Sequence, residues 1–149
     1  LIGLVPAIIL TAPLFGVSIL ELGFPLIMLF LSLYIFGITL GLFVSAGLMR
    51  FGPSFENIAW SSLFLLAPLG CIYYPIEILP NFFQIIAKGL PLVYIFDETR
   101  NILLNSNVDY ENLKYAYFLN IIYLVFGIIL FYFSFLKARI KGTLMNMGE

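Results

Sequence analysis

The residues able to do chemistry in this chain are few, and their placement limits what that chemistry is. There is no histidine, which removes imidazole catalysis and imidazole metal ligation. One cysteine, Cys71, excludes an internal disulfide framework and a thiolate cluster, and reads as a small apolar residue. No Gly-rich phosphate loop or Walker lysine pattern is present. Most of the charge gathers in one mixed segment, which holds Glu77, Lys88, Asp97, Glu98, Arg100, Asp109, Glu111 and Lys114. Asp97 and Arg100, three apart, pair on a helix. Glu77, Asp97 and Arg100 are the charges expected to be partly buried, either as an ion-paired anchor, the favoured reading, or as part of a gate. Arg50 and Glu56 bracket a short polar loop. They read as a contact for a cytoplasmic partner, or equally as an orienting arginine and a helix-start glutamate favoured by the dipole. Asn120 is expected to hydrogen-bond a neighbouring helix as packing glue. No catalytic or metal-ligating residue stands out, and the chain is not expected to be an enzyme.

Composition says what must hold these residues. Of 149 residues, 62% are hydrophobic and 10% charged, against roughly 45–50% and about 25% in a soluble domain; mean hydropathy is +1.09. So little charge does not cover a globule of this size. The bilayer is therefore the expected solvent, and the net charge of −1 without a polybasic run excludes a basic nucleic-acid binder. Four segments approach the roughly 20 apolar residues needed to cross a hydrocarbon layer of about 30 Å. They are 1–20, with Pro6 and Pro13; 25–49, uncharged until Arg50; 58–74, with Pro68 and Gly70 near its end; and 116–136, followed at once by Lys137, Arg139 and Lys141. Lipid offers backbone polar groups no partner, so these are helices, and they lack the alternation of barrel strands. The predicted fold class is all-α, a polytopic membrane helical bundle with 1–149 as one transmembrane domain. Gly37, Gly41 and Ser45, spaced four apart, predict a helix-packing stripe. The chain starts at Leu1 with no basic region before it, and is expected to be a fragment lacking N-terminal spans.

Positive charge at span ends sets orientation. With the basic tail 137–149 in the cytoplasm, the 50–57 loop lies inside, and the 21–24 turn and the 75–114 segment lie outside. Arg50, Lys137, Arg139 and Lys141 then share the inner side, while the outer cations are diluted by acids. Tyr73, Tyr74, Tyr110, Tyr115 and Tyr117 cluster near the outer interface, where such rings favour the headgroup level.

The stretch 75–104 is too apolar for a free loop and too interrupted for one helix. Pro75, Pro80 and Pro91 partition it, and proline is welcome in a first helical turn, so Pro80 and Pro91 each predict a helix start. Phe82, Phe83, Ile85, Ile86 and Leu90 fall on one face, and Ile95, Phe96, Ile102 and Leu103 continue an apolar stripe. Two short amphipathic helices dipping into the outer leaflet and buried against the spans fit this pattern. They are preferred to helices lying flat on the surface.

The run Leu-Ala-Pro-Leu-Gly followed by CIYYPIEILPNFFQIIAKGLPLVYIFDETRNIL resembles the type-2 ABC (ATP-binding cassette) exporter permeases. The matching positions are Gly70, Tyr74-Pro75, Leu79-Pro80, Leu90-Pro91 and Arg100. The order of elements agrees over Pro25 to Leu136, and the specific part is Ala67 to Ile102. The resemblance implies six spans per permease, of which this chain supplies the last four, and a main coupling helix outside this sequence. It implies that the loop 50–57 lies near the ATPase, and that 75–104 closes the outer end of a path. Pro75, Glu77, Pro80, Pro91, Asp97 and Arg100 are the candidate gate residues.

The expectation is therefore a permease subunit of an ATP-driven exporter in the plasma membrane, multi-pass, with a cytoplasmic C-terminus. A second permease copy and a cytoplasmic ATPase subunit are its expected partners, with ATP and magnesium bound by the ATPase and no cofactor in this chain. Spans without charge suit an apolar or amphiphilic cargo such as a drug, lipid or lipid-linked glycan. They argue against a proton-coupled pump. The alternative is a non-transport membrane scaffold or assembly subunit, with Gly37, Gly41 and Ser45 as its interaction face.

Overall fold

A computed structural model describes residues 23–105 and 108–141. Among these every regular element is helical: α1 (Gly23–Phe51), α2 (Phe55–Leu69), a 3-10 turn (Ile76–Ile78), α3 (Asn81–Ala87), α4 (Pro91–Asn105) and α5 (Tyr110–Lys141). The expected first span, 1–20, and the tail beyond Lys141 lie outside the described residues.

Two helices are long and apolar enough to cross a membrane. At about 1.5 Å per residue, the 29 residues of α1 and the 32 of α5 run about 43 and 48 Å. Both exceed a hydrocarbon layer of roughly 30 Å. Helix α5 starts six residues before the expected 116 and continues through Lys137 and Arg139, because nothing between Tyr110 and Lys141 breaks it: the stretch holds no proline, and its one glycine, Gly127, is buried in the helix.

These two helices form the main seam of the molecule. On α1 the buried positions are Leu29, Ser32, Phe36, Thr39 and Ala46; on α5 they include Leu113, Ala116, Asn120, Ser134 and Ala138. Steps of three and four residues keep one stripe facing the partner, as in a coiled coil. Cross-seam bonds set the relative direction. Tyr117 donates to the Met28 carbonyl at 2.8 Å, and Asn120 Nδ2 donates to the Ser32 carbonyl at 2.9 Å and to Ser32 Oγ at 2.8 Å. The sequence offsets are 89 and 88 residues, so the helices run parallel. Gly127 keeps the same register, lying beside Thr39 and Leu42. Small residues thus line the seam where backbones approach most closely.

The expected stripe Gly37, Gly41 and Ser45 lies elsewhere on α1. A Cβ at Gly37 or Gly41 would find no described atom within 4 Å, so the stripe is not the seam inside this chain. The Asn120 Oδ1 is buried without a hydrogen-bond partner among the described residues, which offsets part of what its amide gains. Asn120→Ala should therefore destabilise the seam by only about 1 kcal/mol. A double-mutant cycle with Ser32→Ala in detergent should recover only part of that as coupling, because the bond to the Ser32 carbonyl survives the substitution.

The corner after α1 turns at Gly52, whose φ of +78° suits glycine and lets its N–H reach the Leu48 carbonyl at 2.8 Å. The Phe55 ring then seats on Gly47. Helix α2 has 15 residues, about 22 Å. It begins and ends before the expected 58–74, because Pro68 and Gly70 close it. Its end rests on the start of α4: a Cβ at Gly70 would lie 2.9 Å from Leu92 Cδ1 and from the Leu66 carbonyl oxygen.

Candidate functional site

The candidate site is the α3–α4 hairpin and the helix ends that hold it. Proline sets its corners. Pro80 is extended, with φ −55° and ψ 146°, and its carbonyl accepts from Phe83 and Gln84 at 2.9 and 3.1 Å to open α3. Pro91 is buried and opens α4, where its missing N–H costs nothing. Pro75 is exposed and leads into the 3-10 turn.

Helix α4 runs antiparallel to α5. Gly89, just before it, accepts from the Tyr123 hydroxyl at 3.0 Å. Tyr94 stacks on Tyr115 with ring centroids 5.7 Å apart, and Glu98 meets Asp109 and Asn112. As α4 advances, its partners on α5 recede. Tyr123 lies about 20 Å along α5 from Tyr110, so the hairpin tip stands well down the long helix. Lys88 is carried at that tip, exposed, and its ammonium is in no ion pair among the described residues. Its carbonyl accepts from Tyr94 at 3.0 Å. Phe82, Phe83, Ile85 and Ile86 of α3 are exposed, whereas Leu90 of the same predicted face packs against Cys71, Leu79, Ala87 and Val93.

The middle of α4 carries the charges. Arg100 Nη2 pairs with Asp97 Oδ1 at 3.2 Å, the predicted pairing. Arg100 Nη1 also donates to the Cys71 carbonyl at 2.8 Å, tying α4 to the turn after α2. Cys71 is fully buried, with φ +53°, a conformation that costs a side-chain-bearing residue roughly 1–2 kcal/mol. Beneath this tie a second small core forms from Cys71, Leu79, Ala87 and Val93. The Tyr74 hydroxyl donates to the Pro68 carbonyl at 2.8 Å, and Gln84 donates to the Leu79 carbonyl at 2.8 Å.

Glu77, expected to be partly buried, is exposed on the 3-10 turn. The buried acid is Glu98, 1% exposed. Its Oε1 accepts from the Asp109 backbone N–H at 2.7 Å, and its Oε2 from the Asn112 amide at 3.4 Å. Asp109 in turn caps α5, accepting from the Glu111 N–H at 2.9 Å. The carboxylates thus gather where the free N–H groups and dipole of α5 favour negative charge. A signal for Glu98 existed in the sequence: it continues the stripe of Ile95 and Ile102, both buried, at steps of three and four.

At the opposite end of the α1–α5 pair lie Arg50, Lys137 and Arg139, all exposed. The Arg50 guanidinium stands over the Phe51 ring, 5.5 Å from its centroid. Glu56 is exposed in the first turn of α2. The parallel seam therefore separates a basic end from an end rich in acids. No group of histidine, cysteine, aspartate and glutamate that could hold a metal occurs among the described residues. Compared with protein families, curated proteins and solved structures, the chain finds no match.

Proposed function

We propose that this chain is a permease subunit of an ATP-driven exporter of the ATP-binding cassette type, and that the α3–α4 hairpin closes the outer end of its path. The observation that carries the reading is the Tyr123–Gly89 hydrogen bond. Lys114 and Glu111, exposed at the start of α5, belong in water. Tyr123 lies nine residues beyond Lys114, about 14 Å deeper, close to half of a layer of roughly 30 Å. A hairpin anchored there supports the re-entrant reading over the flat one, and two carbonyls at its tip accept from tyrosine hydroxyls, as lipid favours.

In this reading 1–20 and α2, which at 15 residues is short for a layer of roughly 30 Å, complete four spans, and the basic end faces the cytoplasm. Arg50 and Glu56 then meet a cytoplasmic ATPase subunit, which binds ATP and magnesium, and two permease copies enclose the path. The cargo is apolar or amphiphilic, because the long helices carry no charge in their middle stretches. Closure of the ATPase is transmitted by rigid helices to a hairpin held at its two ends by the Tyr123–Gly89 and Arg100–Cys71 bonds.

The intact protein should co-purify with an ATP-binding subunit and move cargo on ATP. Cargo movement by the chain alone on a proton gradient would overturn the reading. Cysteine replacements at Glu111 and Arg139 test the topology: the first should react with an impermeant maleimide from outside, the second only after permeabilisation. The bare face at Gly37 and Gly41 favours one other role, a scaffold subunit pairing through that stripe. Such a subunit would recruit no ATPase.

A further inference from the structure

Away from the hairpin, the basic end of the α1–α5 pair carries a cleft of about 260 Å³ lined by Arg50, Phe126, Ile129, Leu130, Phe133, Ser134 and Lys137. Its composition is divided. Arg50 and Lys137 stand at the rim, and four apolar side chains of α5 form the floor. Between Lys137 and Phe126 the lining runs 11 residues along α5, about 16 Å. That is half of a hydrocarbon layer of roughly 30 Å, the depth of one leaflet. Neither cation is in an ion pair among the described residues, and stacking on Phe51 holds the Arg50 guanidinium at the surface. Glu56, the one acid near this end among the described residues, does not line the cleft.

The geometry points to a binding site for one anionic phospholipid of the leaflet at this end: its phosphate between Arg50 and Lys137, one acyl chain along Ile129, Leu130 and Phe133. Two cations recognise a phosphate, and an apolar floor one leaflet deep recognises the chain attached to it. A soluble anion would use only the rim, and a zwitterionic lipid would bring its own headgroup cation against Arg50 and Lys137 and so be held less well than an anionic one. Basic pockets between spans on the cytoplasmic side hold anionic headgroups on the same physical grounds. The site needs α1 and α5 in a bilayer and shares Arg50 with the ATPase contact of the exporter reading.

The test is native mass spectrometry of the full chain released from detergent with equal phosphatidylglycerol and phosphatidylcholine. The wild type should retain phosphatidylglycerol preferentially. Arg50→Gln with Lys137→Gln should lower that retention roughly 30-fold, about fivefold per cation. Arg50→Lys with Lys137→Arg should restore it, which separates lost charge from lost fold. Leu130→Trp, which fills the floor and leaves both cations, should lower retention of phosphatidylglycerol with helix content unchanged by circular dichroism. Inorganic phosphate at millimolar concentration should not compete. Undiminished preference in the double glutamine variant overturns the proposal, as does undiminished retention in Leu130→Trp. Competition by inorganic phosphate also overturns it, in favour of a bare anion site.

Discussion

Glu98→Ala should destabilise the junction of α4 with the start of α5 by about 2–4 kcal/mol, measured as loss of folded protein during denaturant titration in detergent. The cost has separable origins. The Asp109 N–H and the Asn112 amide each lose an acceptor, in a place where Glu98 itself is 1% exposed and water does not readily replace it. An unpaired buried donor costs roughly 1–3 kcal/mol. Truncation also leaves a void beside Ile95, Ile102 and Leu113, the core joining α1, α4 and α5. Glu98→Gln keeps the shape and one acceptor. It gives up the negative charge at the start of α5 and sets an amide against the Asn112 amide, which then turns over to accept. Its cost should be less than half that of alanine. Equal effects of the two substitutions would mean that charge, not hydrogen bonding and packing, is what Glu98 supplies. Exposed Glu77→Ala should change stability by less than about 0.5 kcal/mol.

The difference between these glutamates shows how far the sequence was legible. Long apolar runs bounded by charge located α1 and α5, because in lipid the backbone has one answer to a run of that length. Prolines located the hairpin corners, since their backbone constraints act locally. Which face of α1 packs was not settled by its glycines. Gly37 and Gly41 are small residues in view, whereas the seam uses Ser32, Thr39 and Ala46, whose spacing becomes meaningful only beside the matching stripe on α5. Hydropathy marks the apolar stretch rather than the whole helix: Tyr110 to Lys114 is polar yet helical, because Asp109 and Glu98 cap it. Long-range ties such as Arg100 to Cys71, 29 residues apart, have no local signature. The ion pair Asp97–Arg100 was readable because it lies within one helical turn.

That tie gives the second large effect, and the native Cys71 reports it. In the wild type the thiol is fully buried and should react with maleimide only when the hairpin opens. Arg100→Ala removes the donor to the Cys71 carbonyl, and a hydrogen bond from a charged donor contributes roughly 1.5–3 kcal/mol. It also leaves a left-handed backbone at Cys71 without the contact that holds it there. Labelling tracks the open population when opening and closing are fast, so the rate at Cys71 should rise roughly 10- to 100-fold. Asp97→Asn leaves the Arg100–Cys71 bond in place and loses only a half-exposed ion pair, so it should raise the rate less than about fivefold. Arg100→Lys should fall between, because an ammonium cannot hold the Cys71 carbonyl and Asp97 with the planar fork of a guanidinium. Tyr123→Phe acts at the other end of the hairpin by freeing the Gly89 carbonyl. If the hairpin opens as one body, Tyr123→Phe alone should raise labelling at Cys71 and the double variant should show the product of the single effects; if its two ends fray separately, Tyr123→Phe should leave labelling at Cys71 unchanged. A gate requires the first outcome: motion of the outer helices as a unit, hinged at the proline corners, with Arg100 as the latch.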